Sequence, residues 1–213
     1  MMKLLPKHPL KQFLLLFVVS YAFLMLLATF TGIKSGYDNG YRSLGNTYFQ
    51  PFKEKGYVIF SEGADPLNKG LNTQLALINI DQNNQAIASG TNVRTIKVYV
   101  SPFRSGLFPL ILLLSLILAS PVPWRRKVWL LPVGFIIISL FAYFRTWLTV
   151  LLNFDQNEWL EVVDLSPTMH SFYNWLEAVT VGNVVFSVVV PVVVWFIITF
   201  RKEDRSVLFR ISR

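Results

Sequence analysis

The sequence predicts an α-helical membrane protein of four transmembrane helices, with a small extracytoplasmic α+β domain between the first and second spans. Three observations predict it. Residues 13–32, 106–124, 128–152 and 178–200 form four apolar stretches, each near the length of about 20 residues that a hydrocarbon core requires. Hydrophobic residues make up 53% of the chain and charged residues only 15%, against about 25% charged in an ordinary soluble domain. The basic residues are also sorted: Lys3, Lys7 and Lys11 precede the first stretch, Arg125, Arg126 and Lys127 separate the second from the third, and Arg201, Lys202 and Arg205 follow the fourth.

Lys and Arg in short flanking loops stay on the cytoplasmic side, so the three clusters agree on one topology. Both termini are expected inside, with residues 33–105 and 153–177 outside. The net charge of +8 divides into +9 on the expected inner segments and −1 on everything else. That asymmetry fits an anionic inner leaflet and argues against a nucleic-acid partner, which would need a basic patch on a folded face. The chain has no cysteine, which excludes disulfides, thiolate metal sites and thiol nucleophiles. A bacterial cytoplasmic (inner) membrane is the expected location.

In order along the chain, residues 1–12 form a basic arm that includes His8. The first span, 13–32, has an apolar core of about 18 residues, longer than the roughly 7–15 of a cleaved signal peptide, and is expected to act as a signal anchor. Within 33–105, Tyr37, Tyr41, Leu44, Tyr48 and Phe52 recur at 4, 3, 4 and 4 residues, which predicts one aromatic stripe on one helix face. Gly40 and Gly45 oppose that helix by about 1 kcal/mol each relative to alanine. Strand-like runs follow at 57–61, 71–80 and 92–100. The last alternates Ile96, Val98 and Val100 with Thr95, Lys97 and Tyr99, the period of a half-buried strand. Residues 81–84 read as a polar turn and 85–88 as a short additional strand.

Residues 106–124 form the second span, 125–127 a basic cytoplasmic turn, 128–152 the third span and 153–177 an acidic outer loop. In that loop Ser166 and Pro167 predict a helix start, and Met169, Phe172, Tyr173 and Leu176 share one face, as in a helix lying in the membrane interface. Residues 178–200 form the fourth span, with Pro191 expected to kink it, and 201–213 a basic tail. Residues 33–105 carry +3 and residues 153–177 carry −5, so the outer domain is expected to dock on the acidic loop.

Two constellations could carry chemistry. Arg145 is the one ionisable residue inside a predicted span, and an intramembrane charge is a functional hypothesis by default. Asn183 and Ser187 on the antiparallel fourth span fall near its depth and could hydrogen-bond it. Snorkelling of the guanidinium to outer headgroups is the competing structural account. Glu158, Glu161 and Asp164, followed by His170, form the second constellation. Carboxylates beside a histidine can move protons or bind a metal, whereas a solvated acidic loop needs neither. No zinc-protease, nucleophile-elbow, phosphate-loop or calcium-loop motif occurs, and neither cofactor nor metal is expected.

The segment Tyr99-Val100-Ser101-Pro102-Phe103-Arg104-Ser105-Gly106-Leu107-Phe108-Pro109-Leu110 leads a strand into a Leu-rich span, which ends at Ala119-Ser120-Pro121 before the turn Trp124-Arg125-Arg126-Lys127. Together with the order of one span, a β-containing outer domain and three more spans, this resembles the small membrane proteins encoded beside exosortases, notably the exosortase H-associated group. The resemblance implies an accessory to a membrane transpeptidase that processes C-terminal sorting tails. Exosortases themselves use a catalytic cysteine. This chain has none, so the likeness extends only to an accessory partner.

Three functions therefore stand open. The first is a non-catalytic membrane accessory or scaffold presenting an outer domain to a membrane-protein partner. The second is a subunit of a multi-chain transporter, with Arg145, Asn183 and the Pro191 kink lining a path. The third is a membrane-embedded hydrolase or transferase using the acidic loop.

Overall fold

Helix dominates the chain, and one small antiparallel sheet interrupts it. The computed structural model describes residues 9–68, 70–90, 95–157, 160 and 162–199. Helix α1 (Pro9–Phe30) is followed by α2 (Ile33–Phe49), strands β1 (Pro51–Phe52), β2 (Gly56–Glu62) and β3 (Thr73–Asn79), helix α3 (Ile80–Ser89) and strand β4 (Ile96–Val100). A π turn (Phe103–Leu107) leads into α4 (Phe108–Ala119), then come α5 (Trp124–Gln156), α6 (Pro167–Thr180) and α7 (Phe186–Thr199). Among the described residues, two helices are long and apolar enough to cross a membrane, Leu10–Phe30 and the 33-residue Trp124–Gln156. Two more are apolar but shorter, Phe103–Ala119 and Phe186–Thr199.

The boundaries depart from hydropathy in two places. The second predicted span stops at Ala119 because Ser120 turns to extended backbone and prolines 121 and 123 follow. Trp124 and the basic residues after it open α5 instead of forming a separate turn. There Arg126 donates to the Thr199 carbonyl at 2.5 Å and Lys127 to the Leu118 carbonyl at 2.5 Å. The basic cluster thus satisfies carbonyls at the C-terminal ends of α7 and α4, where a helix dipole favours cations. The fourth predicted span, 178–200, is not one helix: α6 ends at Thr180, residues 181–185 break the run, and α7 begins at Phe186. Pro191 lies inside α7, buried.

Helices α1, α4, α5 and α7 pack together, with α4 touching the other three. The short turn between α4 and α5 makes them antiparallel, and Phe13 of α1 stacks on Trp195 of α7, whose indole donates to Ser120 at the end of α4. That end of the bundle carries the basic cluster. The sheet and α6 occupy the opposite end.

The sheet has the order β1-β2-β3-β4, all antiparallel. Alternation in β3 buries Thr73, Leu75, Leu77 and Asn79 on one face. Two expectations for this region are corrected. Residues 81–88 form neither turn nor strand but α3, capped at its start by the Asn79 side chain accepting from Asp81 and Gln82 and at its end by Gly90. The aromatic stripe on α2 is also rotated: the buried positions are Asp38, Tyr41, Gly45 and Phe49, while Leu44 and Tyr48 are exposed. Gly45 explains the rotation, since a Cβ there would lie 2.6 Å from the Phe60 ring. The neighbouring Asn46 holds β2 like an extra strand, donating to Phe60 O at 3.0 Å and accepting from Phe60 N at 2.7 Å.

One core joins the sheet to the last turns of α5. Val58, Phe60, Leu75 and Leu77 pack with Val150, Leu151 and Phe154, and with Leu160 and Val163 from the following loop. Phe52 stacks on Phe154 at 5.3 Å. Residues 33–105 do meet the loop 153–177, but apolar burial makes the contact, with a hydrogen bond from Asn79 to the Leu160 carbonyl. Among the described residues no ion pair crosses between residues 33–105 and 153–177.

Candidate functional site

Arg145 sits on α5 two turns before Phe154 and points into the break between α6 and α7. It is 5% exposed. Its Nη1 donates to Ser187 Oγ at 3.0 Å and its Nη2 to the Val181 carbonyl at 3.2 Å. The Phe141 ring lies 5.7 Å from the guanidinium carbon, a cation–π distance. The break is what makes this possible. Ending α6 at Thr180 leaves the Val181 carbonyl without a helical partner, and a cation at a helix C-terminus is electrostatically favoured. Among the described residues Arg145 Nε has no partner and no carboxylate pairs with the guanidinium; neutral dipoles hold it. Asn183 does not contribute to the clamp. Its Oδ1 accepts from the Val185 backbone at 2.9 Å, helping restart the helix on the far side of the break.

Next to Phe154 in the last turn of α5, Asp155 organises the second constellation. Its Oδ1 accepts from Leu165 N at 2.8 Å, and its Oδ2 pairs with His170 Nδ1. Asp155 is 8% exposed and His170 38%. A carboxylate on Nδ1 fixes the ring so that Nε2 is the free nitrogen. The pair lines a cavity of about 900 Å³ together with Gln156, Val162, Val163, Asp164, Leu165 and Pro167. Asp164 stands exposed on its rim. Glu158 and Glu161 lie outside the described residues. Among the described residues no group of three or more His, Asp or Glu could hold a metal ion.

Comparison of the chain with protein families, with curated proteins and with solved structures finds no match. Chemistry must be read from these residues directly. A histidine oriented by a largely buried aspartate and lining a cavity has the makings of a general base or of a hydrogen-bonding anchor. Sequence reasoning named Glu158, Glu161, Asp164 and His170 and did not place Asp155 among them. One clue to Asp155 was present: an acidic side chain in the last turn of a helix opposes the dipole and calls for a compensating partner.

Two further polar features bind the outer region to the bundle. The Tyr41 and Thr146 hydroxyls are hydrogen-bonded, and Tyr143 donates to the Tyr41 carbonyl at 3.3 Å. Burial pushes the Tyr41 phenol well above its ordinary 10.0, so it remains a neutral hydroxyl. On α6, burial raises the Glu177 carboxyl above its ordinary 4.5.

Proposed function

We propose that this chain is a four-pass protein of a bacterial cytoplasmic membrane, with both termini inside, that acts as a non-catalytic accessory or scaffold. Its outer face meets a membrane-protein partner, of which a protein-sorting or processing enzyme is the kind the sequence resemblance implies. The observation that carries the reading is the shared core of sheet and α5, in which Phe154, Leu151 and Val150 complete the apolar face of Phe60, Leu75 and Leu77. Such a core holds the outer surface rigidly with respect to the bilayer, as a scaffold requires.

The dimensions suit the topology. From Lys127 to Trp147 is roughly 30 Å along α5 at about 1.5 Å per residue, matching a hydrocarbon core of about 30 Å. Trp147 then stands at the outer interface, where tryptophan is favoured, and Arg145 just beneath it. The shorter α7 completes its crossing through 181–185, whose irregular backbone is tolerable at membrane depth because protein groups satisfy it. Reporter fusions at Lys69 and Lys127 test the topology: an active cytoplasmic reporter at Lys69 overturns it. Photo-crosslinkers at the exposed Leu67 and Ile87 test the partner. One dominant membrane-protein adduct is expected, and adducts to lipid or to the same chain alone would refute the scaffold.

The Asp155–His170 pair over its cavity favours a second reading, a membrane-embedded hydrolase or transferase with His170 as base. That reading requires His170→Ala to abolish function while crosslinking to the partner persists.

A further inference from the structure

We propose that the groove between α2 and α5 is a binding site for one anionic phospholipid of the outer leaflet, its acyl chain along α5 and its phosphate at Lys53. The site rests on the membrane topology proposed above.

The groove encloses about 710 Å³ and is mostly apolar. On α5, Ile136, Leu140 and Phe144 recur every four residues and Ser139 lies beside them, so one helical face forms the floor. The exposed Leu44 and Tyr48 of α2 form the opposite bank. These are the two stripe residues that the packing of α2 leaves unused. Their exposure to water would be costly, and in a bilayer it becomes a lipid contact.

Length and charge select the occupant. The α5 floor from Phe135 to Trp147 is roughly 18 Å long at about 1.5 Å per residue, close to one leaflet of a hydrocarbon core about 30 Å thick. A partner's transmembrane helix would need an opposing bank over the full thickness, yet below Phe135 the face of α5 continues through Val133, Trp129 and Val128 without one. At the outer end the groove reaches Lys53, which also lines a second cavity of about 460 Å³ with Glu54, Lys55 and Val162. Lys55 is 4.0 Å from Asp81, whereas Lys53 makes no ion pair among the described residues. An apolar slot one leaflet long, closed by an unpaired cation at headgroup level, matches an anionic phospholipid.

Lys53 also holds a φ of 54°, a conformation that glycine adopts freely and lysine does not. A lysine kept in that turn is accounted for by what its side chain binds. The conformation also supplies a clean variant, because Lys53→Gly removes the cation while relieving the backbone.

The test uses the full chain, purified in mild detergent, depleted of lipid and offered phosphatidylglycerol or phosphatidylcholine of identical acyl chains, with bound lipid counted by native mass spectrometry. The wild type is expected to retain one phosphatidylglycerol per chain, at least ten-fold in preference to phosphatidylcholine. Lys53→Gly should erase the preference without lowering the unfolding temperature, and Ser139→Trp, which fills the slot, should expel both lipids. Equal retention of the two lipids, or unchanged selectivity in Lys53→Gly, overturns the site. A photo-crosslinker at Leu140 that captures a protein in place of lipid overturns it as well. Recovery of the chain in the soluble fraction would instead overturn the membrane topology, and the site with it.

Discussion

Arg145 shows how a single charge is made tolerable in an apolar interior. Two of its donors meet a hydroxyl and a carbonyl, and at 5% exposure the guanidinium is held among the helices and does not reach the surface. Arg145→Leu should therefore leave the Val181 carbonyl and Ser187 without their donors, at about 1–3 kcal/mol for each buried group left unpaired. Arg145→Lys keeps the charge but lacks the planar fork that spans two acceptors. It is expected to cost about 1–2 kcal/mol, by the same scale, in thermal unfolding of the detergent-solubilised chain; a silent Arg145→Lys would contradict the clamp. Glu177, one turn before Val181, makes the opposite kind of prediction. Burial raises its folded pKa, so the native state holds the proton more tightly than the unfolded chain. The stabilising contribution is complete below the unfolded value, about 4.3, and is lost as pH rises through the folded value. Glu177→Gln should thus raise the unfolding temperature at pH 7, with the gain vanishing at acid pH. A gain of the same size at every pH would deny the linkage.

At the scale of elements, α2 sets two principles against each other. Helix propensity favours Gly45→Ala by about 1 kcal/mol. A Cβ at that position would meet Cδ1, Cε1 and Cγ of Phe60, all closer than 3.0 Å, and overpacking costs about 1–3 kcal/mol. The Phe60 ring is itself hemmed in by Tyr41 and Phe49, so it cannot swing away. Gly45→Ala is expected to destabilise by about 1–2 kcal/mol on balance, while Gly40→Ala, with open space around it, should stabilise; equal effects at both sites would refute the packing account. The same residue marks the limit of sequence reading. Strands β2, β3 and β4 were legible because a sheet with one buried face writes a period of two into its side chains. The buried face of α2 was not, because counting apolar residues selects Leu44 and Tyr48, whereas the ring of Phe60 demanded the smallest side chain. Helix α3 was hidden by its polarity: none of its residues is buried, so only Asn79 and Gly90 at its ends announced it. The break at 181–185 was hidden by the reverse: the flanking apolar runs carry no period, and Gly182 and Asn183 inside it were its one local signal. Arg145 stood out as a lone charge in an apolar run, but the Asp155–His170 pair joins residues 15 apart through a loop, and no local pattern encodes that.

At the scale of the whole molecule, residues 33–105 are a unit by chain order and not by energetics. Of the 12 buried residues in the core beneath the sheet, Val150, Leu151, Phe154, Leu160 and Val163 come from α5 and the loop after it. Removing them would uncover Phe52, which stacks on Phe154, and would take the Leu160 carbonyl from Asn79, the residue that also caps α3. Fully burying each large apolar side chain is worth about 1.5–3 kcal/mol, so the loss approaches the whole stability of a small domain, about 5–15 kcal/mol. What would be left, a four-stranded sheet with helices α2 and α3, falls in the size range where a single core is marginal. A fragment spanning residues 33–105 is therefore expected to lack a cooperative thermal transition and to give collapsed amide dispersion by NMR. The full chain in detergent should melt its sheet and its helices together, because Phe154 belongs to both. A fragment that melts cooperatively by itself would show that α2 alone can close the sheet. The sheet would then be tethered to the helices and free to reorient, and the rigid presentation on which the proposed scaffold depends would be lost.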